Sequence, residues 1–132
     1  NMYLSVNSRA ASAYTRVGVE TSVQGADAHE LINLLFGALM ETLAQAKAAI
    51  EREDLPAKGK AIGQAARLLD EGLKAGLSPQ GGELTARLST LYTYSIRRLT
   101  EANVHNDVAA VDEVRSLIEP VADSWKSIRN DI

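Results

Sequence analysis

Apolar residues recur every three or four positions along most of this chain, the spacing by which an α-helix buries one face. In the first such stretch Ile32, Leu35, Leu39, Leu43, Ala46 and Ile50 follow at those steps, and Leu31, Leu34 and Ala38 widen the stripe. A second stretch carries Ile62, Ala65, Leu69 and Leu73, and a third carries Leu84, Leu88, Leu91, Ser95, Leu99 and Ala102. The fourth runs through Val108, Val111, Val114, Ile118, Val121, Trp125 and Ile128. No segment holds a period of two for long, so strands are not expected. The apolar residues, 45% of the chain, are mostly Ala and Leu, which lose little rotamer freedom in a helix.

The breaks between stripes carry helix punctuation. Asp27 can cap the first turn, with Glu30 three residues on. The first stripe ends in Glu51, Arg52, Glu53 and Asp54, after which Pro56 forbids simple continuation. The second helix is expected over about residues 57–77. Ser78, Pro79, Gln80, Gly81 and Gly82 read as a loop, and Asn106 or Asp107 as the cap between the third and fourth helices. Four helices joined by a few residues each predict an all-α, antiparallel four-helix bundle over residues 27–129. Its steps of three and four favour a shallow crossing angle. Residues 1–25 read as a mobile arm or cap, with a short helix over 8–16 that sets Ala11, Tyr14 and Thr15 on one side. At 132 residues the chain is expected to form a single domain. About two-thirds of its surface can be buried without metal or disulfide staples.

Little points to catalysis. Cysteine is absent, so no thiolate, disulfide or cysteine nucleophile is available. His29 and His105 lack the Glu-x-x-His spacing of a di-metal bundle and have the polar flanks of solvated side chains. A phosphotransfer histidine should sit mid-helix beside a small residue or lysine, and neither does. Gly81 and Gly82 lack the lysine and strand of a phosphate loop and read as a turn. Arg97 and Arg98 have Glu101 within one helical turn, which predicts a local ion pair. A net charge of −3 argues against a phosphate-backbone binder, so no nucleic acid, metal or cofactor is expected. No apolar run approaches the roughly 18 residues of a membrane span; the expectation is a soluble, cytoplasmic protein without stable membrane insertion.

The anomaly is excess apolar surface. Leu31, Ile32, Leu34, Leu35 and Phe36 fill almost every position of one stretch, and Leu91, Tyr92, Tyr94, Ile96 and Leu99 most of another's circumference. A heavily buried central helix, a groove for an amphipathic partner segment and a homodimer interface each account for it. Gly37, Gly63, Gly72 and Gly76 fit either close helix packing or shallow grooves.

Several runs occur in an order that resembles the flagellin export chaperones of the FliS type. They are Met2 and Tyr3; Ala13 to Val17 with Tyr14; His29-Glu30-Leu31-Ile32-Asn33-Leu34-Leu35-Phe36; and Gly81-Gly82-Glu83-Leu84. Most specific is Leu91-Tyr92-Thr93-Tyr94-Ser95-Ile96-Arg97-Arg98-Leu99-Thr100-Glu101-Ala102-Asn103, followed by Asn106-Asp107, Glu113-Val114 and Ala122-Asp123-Ser124-Trp125. The resemblance implies a non-enzymatic helical bundle in the bacterial cytoplasm. It would bind the disordered C-terminal segment of flagellin, prevent premature polymerisation and pass it to a flagellar export gate component. Other flagellar proteins are further partners it leaves open. Tyr14, with Val17 beside it, is assigned to client contact or to a docked arm that a client displaces. Leu31, Leu34, Leu35, Tyr92, Ile96, Leu99 and Asn103 complete the expected partner-binding set, those of the third helix by helical spacing.

The chain departs from the family pattern in places. Ala26, Asp27 and Ala28 stand where Ala-Ser-Pro is usual, Phe36 and Gly37 lack a following aspartate, and Thr93 replaces a common aspartate. Pro120 is expected to kink or break the fourth helix near residues 116–119.

Overall fold

The computed structural model describes Ser12 and residues 27–130, with side chains of the last helix through Ile128. But for Ser12, the expected arm, including Tyr14 and Val17, lies outside the described residues.

Helix α1 spans Ala28–Glu51, capped by Asp27, whose Oδ1 accepts from the Glu30 amide at 2.8 Å. After a turn in which Glu53 takes a left-handed φ of 59°, Asp54 caps α2 (Leu55–Arg67) by accepting from the Ala57 amide at 3.1 Å. Pro56 falls in the first turn of α2, where its missing N–H costs nothing. The next turns are not α-helical. Leu68–Lys74 forms a π-helical continuation, closed by the Ala75 amide on the Asp70 carbonyl at 3.2 Å. Leu68, Leu69, Gly72 and Leu73 are all buried, a repeat of four that the wider π turn follows better than a 3.6-residue turn does.

A 3₁₀ turn, Pro79–Gly81, leads into α3 (Gly82–His105). Here both glycines are steric requirements. Gly82 takes φ 59°, ψ −126°, and a Cβ on Gly81 would lie 2.1 Å from Thr85 Oγ1. The turn reading is the right one. Asn106, left-handed at φ 54°, terminates α3, and Asp107 Oδ1 accepts from the Ala110 amide to start α4 (Val108–Asn130). Of the expected kink or break, the break does not occur: helix α4 continues through Pro120. Pro120 is exposed, and the carbonyl it deprives of a donor belongs to exposed Ser116, which water can reach.

Cross-helix contacts give the directions. His29 meets Trp125 and Lys47 meets Asp112, so α1 and α4 run antiparallel. Lys58, at the start of α2, reaches Asn103 and Asn106 at the end of α3. The result is an all-α four-helix bundle. Its core is centred on Leu35, Leu39, Leu43, Leu68, Leu69, Leu99, Val111, Val114 and Ile118. Among the described residues no helix is long and apolar enough to cross a membrane.

Candidate partner-binding groove

At the end of the bundle where α1 begins, the stripes outrun their partners and leave an apolar groove of about 380 Å³. Three helices line it at helical spacing. Ile32 and Phe36 come from α1, Leu84, Leu88 and Tyr92 from α3, and Val121, Trp125 and Ile128 from α4. Leu73, Gly76 and Leu77 close the side formed by the π-helical segment and the turn after it. Two rim residues, Leu84 and Ile128, are 64% and 49% exposed, which is unusual for large apolar side chains beside a hollow. Tyr92 is buried, and burial pushes its phenol up to about 12, so it serves as a neutral, largely apolar wall. Among the described residues no nucleophile and base pair lines the groove. What it can do is hold apolar side chains.

The sequence-predicted site residues divide. Tyr92 lines the groove. Leu31, Leu35 and Leu99 are buried in the chain's own core, and Leu34 packs against that core half-buried. Ile96 lines a second hollow of about 450 Å³ between the second-helix region and α3, rimmed by Arg67, Asp70, Glu71 and Lys74. Asn103 is half-buried at the far end of α3, where its carbonyl accepts from Lys58 Nζ at 2.7 Å. Tyr14 and Val17 lie outside the described residues. Leu84, Trp125 and Ile128 line the groove and were not among the sequence-predicted residues. The available signal was that one stripe begins at Leu84 and an antiparallel one ends at Ile128, which puts both at one end of the bundle.

Electrostatics near α3 are structural. Arg98 Nε donates to Glu113 at 2.6 Å and its Nη1 to Glu101 at 2.7 Å, so the expected local pair exists but also bridges to α4. Tyr94 donates to the other Glu113 oxygen at 2.5 Å, and Arg97 lies over the Tyr94 ring at 5.3 Å. Gly37 and Gly63 face open space, whereas a Cβ on Gly76 would lie 3.1 Å from the Gly72 carbonyl. The tight neighbour of Gly76 is its own preceding turn and the residue lines the groove, so close packing between helices accounts for none of the three. His29 departs from its expectation as a solvated side chain: it is half-buried and stacked on Trp125. His105 is exposed.

The model of a protein family described as "Flagellar protein FliS" matches residues 10–131. The chain belongs to the FliS family. A flagellar secretion chaperone FliS of Salmonella typhimurium is 44% identical over 117 residues, covering 88% of this chain and 87% of that protein. FliSB of Pseudomonas aeruginosa, also a flagellar secretion chaperone, is 44% identical over 121 residues, 91% of this chain and 95% of its own. The Escherichia coli FliS is 36% identical over 115 residues, 86% and 85% of the two chains. The FliS family is one of chaperones, not enzymes, which accords with a groove built of apolar walls.

Proposed function

We propose that this chain is a flagellar export chaperone whose end groove seats the C-terminal segment of flagellin in the cytoplasm. By covering that segment it prevents premature polymerisation, and the complex is then delivered to the export gate. Family membership and the names of its relatives support the chaperone role. The observation that carries the site is the apolar groove with Leu84 and Ile128 exposed on its rim. About 380 Å³ is too little for a whole segment but suits the anchor side chains of an amphipathic helix at i, i+3 and i+4. Each fully buried anchor contributes about 1.5–3 kcal/mol, against which ordering a disordered client costs several kcal/mol. That balance makes a cover that can be released at the export gate. Tyr14 and Val17 belong to the same proposal as client contacts or as an arm that the client displaces.

The test is calorimetric titration with the C-terminal segment of the same bacterium's flagellin. A saturable one-to-one isotherm with a negative heat-capacity change is expected, because apolar surface leaves water. Absence of heat, with a concentration-dependent dimer in sedimentation, would assign the exposed rim to self-association.

A further inference from the structure

Trp125 lies in the wall of the groove and is tied to His29 by three contacts. The rings stack with centroids 4.8 Å apart and planes 14° from parallel. His29 Nε2 is 2.8 Å from the Trp125 carbonyl oxygen, and the indole Nε1–H donates to the His29 carbonyl at 3.0 Å. With Asn33 Nδ2 at 3.4 Å from His29 Nδ1, the consistent tautomer carries its proton on Nε2. Each backbone carbonyl thus spends its second lone pair on the other residue's ring, and the indole enters the wall with no unpaired N–H.

The part of α4 that this clamp holds is the least anchored stretch of that helix. Ile118 is its last buried residue; Val121, Ala122 and Trp125 pack on the core half-buried, and the rest of 119–128 is exposed. Pro120 removes a backbone hydrogen bond where the stretch begins. Yet this stretch supplies Pro120, Val121, Ser124, Trp125 and Ile128 to the groove. Its own packing is too thin to define a wall.

We propose that the reciprocal His29–Trp125 clamp is a positioning device for client binding: it pins the end of α4 to the first turn of α1 and so keeps the groove formed before a client arrives. The proposal rests on the reading of the groove as the client site. When the clamp opens, the wall swings and the competent fraction falls, and apparent affinity falls by the same factor.

The test compares the full chain with its His29→Ala variant. Trp125 is the only tryptophan, so its emission reports the stack directly. In free His29→Ala the emission shifts to the red and amide exchange accelerates in 119–128 but not in the buried turns of α1. Affinity for the flagellin C-terminal segment falls about tenfold, the effect of losing one hydrogen bond and one ring stack. His29→Phe keeps the stack without the donor, so an intermediate loss of about threefold is expected; it also carries the test if His29→Ala fails to fold. A red-shifted emission with affinity within twofold of the parent overturns the proposal, as does exchange that accelerates equally throughout the bundle. If the parent chain itself gives no binding heat, the client reading fails separately. The clamp is then judged with the apolar dye ANS, whose binding to the groove should weaken in His29→Ala; equal binding by both overturns it.

Discussion

Ser95 occupies a position on the buried stripe of α3 that leucines hold one and two turns away, and its hydroxyl has no hydrogen-bond partner among the described residues. A buried, unpaired hydroxyl costs about 1–3 kcal/mol. Ser95→Ala therefore raises stability by about 1 kcal/mol and the melting temperature by about 3 °C, measured by thermal unfolding. Tyr92 is the second residue whose surroundings decide its behaviour. Burial disfavours its phenolate and pushes it up to about 12 from the ordinary 10.0. The unfolded chain then loses this proton before the folded one does, so its contribution is complete below pH 10 and is lost as pH rises towards 12. Tyr92→Phe should flatten the fall of melting temperature over that window; an unaltered alkaline profile would assign the fall to other groups. The stripe was legible as spacing in both cases. That Ser95 finds no acceptor, and that the Tyr92 ring meets apolar walls, depends on side chains from other helices.

Between elements, polar contacts set how the helices meet. Glu113 on α4 takes a hydrogen bond from Tyr94 and one from Arg98 of α3, which together hold its carboxyl below the ordinary 4.5. A lowered carboxyl contributes stability above its unfolded value, and that contribution is lost as pH falls through the folded one. Glu113→Gln should thus remove part of the acid dependence of melting below about pH 4.5, as read by thermal unfolding across acid pH. At the other end, buried Lys58 donates to the Asn103 carbonyl at 2.7 Å and to Asn106 Oδ1 at 2.6 Å, placing a cation at the negative end of α3. Lys58→Met removes both hydrogen bonds from a charged donor and should cost about 2 kcal/mol in denaturant unfolding. The caps at Asp27 and Asp107 were legible because capping is local chemistry within three residues, whereas Asp54, read only as the end of the first stripe, proves to cap α2. The π-helical Leu68–Lys74 was not: it answers to a core that must receive Leu68, Leu69 and Leu73 together. Nor was the continuous path of α4 through Pro120, where the freed carbonyl belongs to exposed Ser116.

For the whole molecule the decisive feature is where the bundle stops being covered. Leu84 is exposed on the groove rim, so Leu84→Glu should change unfolding free energy by less than about 0.5 kcal/mol. The same change places a charge against an arriving apolar helix and should weaken flagellin-segment binding by about tenfold or more, as read by titration. Equal loss of stability would return Leu84 to the fold, and unchanged affinity would move the client elsewhere. Four helices, the ends of all but the second and the apolar excess followed from the chain alone, because helical period and capping are set by neighbours three and four residues away. The ordered motifs carried the family resemblance as well. Which leucines are core and which line a groove was decided only by the tertiary structure. A stripe states that a face must leave water, but whether another helix of the same chain or a partner covers it depends on where those helices end. Leu35 and Leu84 belong to equally regular stripes; the first is fully buried on a helix that packs on α2 and α4, and the second faces an open end.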